Sequence, residues 1–215
     1  MLARLILGCG MACGLTVSAA TVLTIQVSNY SEVPIRGVIL SSKFSSSTSA
    51  PSDVAGKTQI VLAQDVQPGD QVPLVLVQAP SPKLRIFAPF EGRAIVPKQF
   101  FIEVVLGEPG DRLALKNENV LESLAGAINS EAIKRPNTPL PEGVKGGPSL
   151  EFNFASSLKQ VAGAVGVEPK ELDAAIRKLA RNKQPKKHME GIVRYDAAVR
   201  EDRMKTILYE NRGTS

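Results

Sequence analysis

The sequence predicts an α+β protein, in which an N-terminal antiparallel β-sandwich precedes a C-terminal helical segment. Three observations predict this fold: short β-branched and aromatic runs separated by turns as far as Leu115, a Pro- and Gly-rich stretch at Pro136–Pro148, and apolar residues at helical spacing after it. Of the 215 residues, 43% are hydrophobic and 22% are charged. This is the composition of a globular protein, and the chain is long enough to bury a sizeable core.

Six strands are expected between Thr21 and Leu115, each of them short and rich in β-branched or aromatic residues. Turn residues separate them, as at Pro68–Asp70 and Pro109–Asp111, and strands at roughly 8–12-residue spacing are typical of an antiparallel sandwich. The serine-rich stretch Ser45–Ser52 is interpreted as a mobile loop. The six predicted strands are Val22–Val27, Ile35–Leu40, Thr58–Gln64, Gln71–Gln78, Lys83–Ala88 and Phe100–Leu106.

A helix is expected directly after these strands. Asn117 and Asn119 are alternative caps, because a short side-chain oxygen can accept the unpaired N–H groups of a first helical turn. The helix is expected to run to about Ile133. Its apolar residues at helical spacing are Val120, Leu121, Leu124, Ala125 and Ile128. Pro136–Pro148 contains four prolines and three glycines, so residues 136–149 are predicted to be a linker.

Residues 150–215 are predicted to be helical. One helix ends at Gly166, since glycine adopts the left-handed cap without strain, and another begins at Pro169, which helices tolerate at their first position. A third helical region is expected from near Lys187 and a fourth from Arg203 to Tyr209. Two or three short helices bury too little surface to be stable alone, so they are predicted to dock on the helix before the linker or to pair between chains.

The first twenty residues have the pattern of a secretory signal peptide. Arg4 supplies a short positive start, residues 5–17 are apolar or small, and Ser18–Ala20 offers small residues at a cleavage site. The apolar run is shorter than the roughly 18 residues that a membrane-spanning helix needs. The sequence therefore predicts export to the periplasm or the extracellular space. It divides the chain into a signal peptide at 1–20, a sandwich domain with a terminal helix at 21–135, a linker at 136–149 and a repeat-like helical segment at 150–215.

Both cysteines, Cys9 and Cys13, lie inside this first segment. Ile6–Cys9 resembles a lipoprotein cleavage box, but only eight residues precede Cys9, which is short for a charged start plus an apolar core. Removal of the whole segment is therefore preferred to lipid anchoring. The mature chain is then expected to contain no cysteine, and so no disulfide or thiol chemistry.

The sequence predicts no catalytic, cofactor-binding or metal-binding residues. A nucleophilic triad or a histidine-based metal site would have to depend on the one histidine, His188, which follows two lysines. The sequence has no Gly-Lys-Ser/Thr loop for phosphate, and it has no tryptophan and only three tyrosines to support sugar-hydrolysing carboxylates. We therefore expect a protein that is not an enzyme.

The order of signals between Thr21 and Leu115 resembles the carboxypeptidase-regulatory-like domains, which are small sandwiches of the transthyretin-like kind. The matching pieces are Val33–Val38, Ala55–Ile60 and Val66–Val72, the last of which contains the Pro-Gly-Asp turn. They cover less than half of the chain, and the serine-rich stretch departs from the family's pattern. The resemblance implies a scaffold that accompanies other domains and carries no catalytic residues.

The helical segment resembles the one that follows such sandwiches in some bacterial tetratricopeptide-repeat proteins. Leu172–Ile176 is similar to a helix of that segment, and Gly191–Ile192 and Tyr195–Ala198 are similar to fragments of a first repeat. A stacked array needs about three repeats to bury its faces. The resemblance therefore implies a shortened relative, or one whose last helices pack on the sandwich or on another chain.

The leading hypothesis for function is an exported, non-enzymatic module for protein interaction or structural support. Between Ser156 and Lys205 there are twelve Lys or Arg and seven Asp or Glu residues, and the resulting charge of +5 equals that of the whole chain. Such an excess favours an anionic partner surface. A protein partner is therefore expected on the basic C-terminal helices, with an association with the cell envelope also left open.

Two other hypotheses stay open. Val161–Lys183 could be a nucleic-acid-binding helical hairpin, with Lys170, Arg177 and Arg181 on an outward face and with binding that weakens steeply as salt rises. Export would separate this hairpin from DNA, so nucleic acid is not the expected partner. The remaining hypothesis is a carbohydrate-binding or enzymatic sandwich, in which the serine-rich stretch and Phe87–Phe90 form one rim.

Overall fold

The computed structural model describes residues 21–45, 47–63, 66–134, 149–181 and 189–212, with the backbone alone described at 132–134, 149–153 and 202–212. The described residues form seven strands and four helices, so the chain is α+β as predicted. The elements are β1 Thr21–Ser28, β2 Ile39–Ser42, β3 Lys57–Leu62, β4 Gln71–Gln78, β5 Arg85–Ala88, β6 Arg93–Ile95, β7 Phe101–Gly107, α1 Glu118–Lys134, α2 Ser149–Val165, α3 Pro169–Ala180 and α4 Glu190–Arg212. The predicted signal peptide, residues 136–148 of the predicted linker and His188 lie outside the described residues.

The strands form a four-stranded sheet in the order β3-β1-β7-β5 and a three-stranded sheet in the order β2-β4-β6. β1 pairs antiparallel with β3 but parallel with β7, where Thr24 lies beside Phe101 and Ser28 beside Val105. The prediction of a wholly antiparallel arrangement is therefore wrong for this sheet. A parallel pair needs a long crossing connection, which residues 29–100 supply here. The alternation of side chains along one strand does not record the direction of its neighbour, so the sequence pattern could not show this pairing.

Two strands depart from the prediction. β2 begins at Ile39 and not at Ile35, because Gly37 has a left-handed backbone with φ of 79° that interrupts the extended run. β6 is not among the six predicted strands. The turn before it requires glycine, since Gly92 has φ of 72° and a Cβ there would collide with the carbonyl oxygen of Leu74.

Strand alternation divides β7 between two hydrophobic clusters. Val104 and Leu106 point into a cluster that draws on both sheets, whereas Val105 between them points into a cluster that is mostly helical. Side chains of the two sheets therefore share one core, and helices cover the opposite face of β7. The sheet cluster contains Leu23, Ile25 and Val27 of β1, Leu40 of β2, Ile60 and Leu62 of β3, Val72 and Leu74 of β4, and Ala94 of β6.

The helical cluster confirms the predicted docking of the C-terminal helices on α1. The α1 stripe expected from helical spacing is buried, and side chains of α2, α3 and α4 pack against it. The sheet region contributes Phe87 and Ala88 of β5, Val105 of β7, and Tyr30, which follows β1. The later part of the chain contributes Val161, Ala162 and Val165 of α2, Leu172 and Ile176 of α3, Met189 directly before α4, and Ile192 and Tyr195 of α4.

The helix ends follow local chemistry in most cases. Asn117 is the cap of α1, because its Oδ1 accepts a hydrogen bond from the N–H of Val120 at 3.0 Å. Gly166 ends α2 with φ of 72°, and α3 begins at Pro169 as predicted. Ser149, which the prediction placed in the linker, is the first residue of α2. The prediction of two helical regions after Lys187 is wrong, since α4 is continuous and no glycine or proline interrupts it after Gly191.

α1 and α4 cross at a point of close backbone approach. The Glu122 carboxylate accepts hydrogen bonds from the N–H groups of Gly191 at 2.6 Å and Ile192 at 3.0 Å, and so caps the start of α4. The Asn129 side chain donates to the carbonyl oxygen of Gly191 at 3.0 Å. A Cβ on residue 191 would lie 2.8 Å from the Glu122 carbonyl oxygen and 2.9 Å from the Gly126 nitrogen. This crossing therefore depends on glycine at position 191.

Candidate functional site

The basic residues predicted to share one outward face do not all do so. Lys170 and Arg181 are exposed, but Arg177 has only 19% of its side chain exposed, and its Nε lies 3.4 Å from Asp173 Oδ2. The Tyr195 hydroxyl donates to the other carboxylate oxygen of Asp173 at 2.9 Å. Burial, followed by the charge of Asp173, raises the pKa of Tyr195, which keeps this donor protonated. Arg177 therefore belongs to a contact between α3 and α4, and its predicted outward placement is wrong.

The serine-rich stretch and Phe87–Phe90 pack against different hydrophobic clusters. Ser49 and Ser52 are buried, and their hydroxyls accept hydrogen bonds from the N–H groups of Leu40 and Val38 beside the sheet cluster. The interpretation of this stretch as a mobile loop is therefore wrong at these two serines. Phe87 is buried in the helical cluster, with its ring centre 5.5 Å from that of Tyr30.

A cleft of about 520 Å³ lies between α1 and the β6 side of the three-stranded sheet. Its volume falls in the range of about 300–1,000 Å³ that is usual for binding pockets. The sheet side of the cleft presents Gln71, Phe90, Arg93 and Ile95. The α1 side presents only small residues, Ser123, Gly126, Ala127 and Ser130, which recur at helical spacing.

The wall of the cleft is positioned by a tight turn. Glu91 and Gly92 both have positive φ, at 53° and 72°, and they turn the chain from Phe90 back into β6. A left-handed backbone is unfavourable for a residue with a side chain, so Glu91 is held there by its surroundings. The Phe90 N–H donates to the Ser123 hydroxyl at 2.6 Å, which fixes the turn against α1.

Arg93 joins the two sides of the cleft. Its guanidinium lies 2.6 Å from Glu91 Oε2 on the turn and 3.1 Å from Glu131 Oε1 on α1. The hydrogen bond to Glu131 is the first cause of a raised pKa for Arg93, so the guanidinium remains charged. One cation thus faces two carboxylates at this rim and links the turn to α1.

The cleft continues into an uncovered apolar face of the three-stranded sheet. Odd-numbered residues of β4 point outwards, and Val75 and Val77 have exposed fractions of 50% and 53%. Ile95 of β6 lies beside Gln71 in the ladder and is 66% exposed. The opposite face of this sheet carries Val72 and Leu74 into the sheet cluster, so the sheet has one buried face and one apolar face towards solvent.

The described part of the chain offers no arrangement for metal binding, since none of its His, Cys, Asp and Glu side chains form a group of three or more that could hold an ion. Within the same described ranges, no helix has both the length and the apolarity that crossing a bilayer requires.

The sequence could have indicated part of this site. Arg93-Ala94-Ile95-Val96 alternates exposed and buried residues, as a strand does, but it is short and directly follows a turn. The small residues of α1 recur at helical spacing opposite the predicted apolar stripe. They come close to β6 only in the folded structure, because the chain between β6 and α1 forms β7 and two connections.

Comparisons with known proteins do not assign this chain to a family. No protein-family model matches it, and neither a curated protein nor a solved structure shows significant similarity to it.

Proposed function

We propose that this protein is a non-catalytic module that binds another protein through the outer face of its three-stranded sheet and the adjoining cleft. The observation that supports this most strongly is the exposure of Val75, Val77 and Ile95 on one face. Contiguous apolar surface on a soluble protein marks interaction sites, since it gains free energy when a partner removes it from water. Pro73, Val75 and Val77 follow one another on the same side of β4, and Ile95 lies beyond them next to Gln71.

The chemistry of the cleft supports binding rather than catalysis. Its charged groups are paired with one another across the gap, since Arg93 contacts both Glu91 and Glu131. A catalytic acid or base usually has a pKa displaced towards its operating pH by burial or an unbalanced charge. The remaining groups are small, apolar or hydroxyl-bearing, which suits a surface that a partner chain can approach closely.

We also propose the finer architecture, a transthyretin-like sandwich of the carboxypeptidase-regulatory-like kind followed by a shortened tetratricopeptide-like segment. The sharing of one core by both sheets supports the sandwich. Leu172 and Ile176 pack in the helical cluster together with α1 side chains, which supports a helical unit that packs on its own chain. An experimental structure that places the two sheets face to face would test this architecture.

Export of the chain belongs to the same proposal. It rests on the signal-peptide pattern of residues 1–20. The test is cell fractionation followed by N-terminal sequencing. Mature protein that begins at or near Thr21 in the periplasmic or secreted fraction would support export, and cytosolic protein that retains residues 1–20 would contradict it.

The basic C-terminal helices provide a second surface for a protein partner. Lys170, Lys178 and Arg181 are exposed on α3 or directly after it, although Arg177 is engaged with Asp173. Exposed cations contribute mostly to the rate and specificity of association, whereas buried apolar area contributes most to affinity. The sheet face is therefore the preferred primary site and the basic surface a subsidiary one.

Photo-crosslinking separates the two surfaces. A photoreactive amino acid is placed at Ile95 on the sheet face, at Lys178 on α3, and at Val22 on the outer side of β1 as a matched exposed control. We expect one discrete adduct from Ile95 in intact cells and none from Val22. An adduct from Lys178 alone would move the interaction to the basic helices, and no adduct from either position would contradict a protein-binding role.

A further inference from the structure

The edges of the two sheets are closed to different degrees. At β3, the Ala63 N–H donates to the Phe44 carbonyl oxygen, and Ser45 forms a bridge with Leu62. At β5, Phe87 and Ala88 are buried in the helical cluster beside α1. A strand edge that is left open offers unpaired N–H and C=O groups to another chain.

The serine-rich stretch closes the edge of β2. The N–H groups of Ser49 and Ser52 donate to the carbonyl oxygens of Leu40 and Val38, at 2.7 and 2.9 Å. In return, the hydroxyls of the same two serines accept from the N–H groups of Leu40 and Val38, at 3.0 and 2.9 Å. Both backbone groups of each edge residue are thereby paired.

Among the residues that the structure describes, β4 is the single neighbour of β6 in the sheet, so β6 is closed on one side only. The Val96 N–H donates to the Asp70 carbonyl oxygen at 2.9 Å, towards β4. Backbone groups alternate in direction along an antiparallel ladder, so the N–H and C=O of Ile95 point away from β4. Ile95 is 66% exposed and lines the cleft, so this outward donor and acceptor lie at its border.

The helical wall opposite β6 leaves room for a peptide backbone. A Cβ built on Gly126 meets no atom within 4 Å, and Ala127 and Ser130 are also small. A wall of small residues permits close approach of a main chain, as larger side chains would not.

We propose that β6 accepts an extended peptide segment of the partner protein as an added strand, with the cleft receiving its alternate side chains. The inference rests on the proposed function and names the mode of binding. The ligand class is an extended segment with small or apolar side chains at alternate positions. Main-chain hydrogen bonds to Ile95 orient the added segment, and the cleft selects among the side chains of that segment.

The test uses a random twelve-residue peptide library displayed on phage and selected against the full chain. Gly126→Leu places a side chain in the cleft from α1, where a Cβ on residue 126 meets no atom within 4 Å. Gly163→Leu makes the same change on the exposed side of α2, where a Cβ also meets nothing within that distance. We expect selected peptides to bind wild type and Gly163→Leu equally and to bind Gly126→Leu at least tenfold more weakly. In NMR titration, the largest amide shifts are expected at Ile95 and along residues 123–130.

Each alternative outcome overturns the proposal in a recognisable way. Equal binding to both variants, shifts confined to another surface or no enrichment of peptides would each show that β6 does not take an added strand. Dimerisation of wild type that Gly126→Leu abolishes would assign the edge to a second copy instead. A crosslink from Ile95 together with failed peptide selection would leave the proposed function intact and reject strand addition alone.

Discussion

The crossing of α1 and α4 gives the sharpest test of the packing, through Gly191→Ala. The new Cβ would lie 2.8 Å from the Glu122 carbonyl oxygen and 2.9 Å from the Gly126 nitrogen, both of them backbone atoms of α1. Backbone cannot move aside as the end of a side chain can, and overpacking of this kind costs about 1–3 kcal/mol. Residue 191 is the second residue of α4, so the helix-propensity gain of alanine there is small. We expect the free energy of unfolding to fall by about 1–3 kcal/mol.

Gly163→Ala is the matched control, because it makes the same chemical change in the interior of α2. There the Cβ meets no atom within 4 Å, so only the propensity term remains, and alanine should stabilise the helix by about 0.5–1 kcal/mol. The free energy of unfolding of both variants is measured by urea denaturation, with far-UV circular dichroism as the signal. An unchanged dependence of this free energy on urea concentration shows that the same transition is observed. If Gly191→Ala were as stable as wild type, or shifted in the same direction as Gly163→Ala, the close approach of α1 and α4 would be refuted.

Three further predictions address the helical cluster and its polar contacts. A chain that ends at Arg135 exposes the apolar stripe of α1, so we expect a lower melting temperature and aggregation in light scattering; an equally stable monomer would show that the halves are independent. Glu122→Ala removes both acceptors at the start of α4 and should cost about 1–2 kcal/mol in urea denaturation, and a loss below a few tenths would contradict the cap. Tyr195→Phe should cost about 1 kcal/mol at pH 7 by removing the hydrogen bond to Asp173. The folded-state pKa of Tyr195 is raised. Its contribution to the free energy of unfolding is therefore complete below the unfolded-state pKa, and it is lost as the pH rises from there through the folded-state pKa. The difference between wild type and Tyr195→Phe should therefore shrink above about pH 10, and a constant difference would contradict the buried hydroxyl.

Local signals predicted the helices well. The spacing of Val120, Leu124 and Ile128 gave the buried stripe of α1, because helical periodicity is written in neighbouring residues. Gly166 and Pro169 marked the turn between α2 and α3 for reasons of backbone geometry alone. No comparable signal in the sequence marks an end of the third predicted helical region before Arg203, and α4 continues through this position.

The sheet and the cleft depend on contacts that sequence periodicity does not record. The parallel pairing of β1 with β7 joins strands that are far apart in the chain, and the prediction of antiparallel strands failed there. The role of Ser49 and Ser52 in closing β2 was also missed, since serine is read from sequence as a loop residue. Arg177 was placed outwards, although Asp173 four residues earlier is a partner that helical spacing could have indicated.

Amide hydrogen exchange at Ile95 and Val96 tests most directly the claim that β6 presents an open edge. The two residues are adjacent, but the Val96 N–H is bonded to Asp70 and its side chain is buried, whereas the Ile95 N–H points away from β4. We predict that the Val96 amide exchanges orders of magnitude more slowly than its unstructured rate and that the Ile95 amide exchanges close to that rate. Equal protection of the two amides in the isolated chain would mean that the edge is already covered, and would contradict the account.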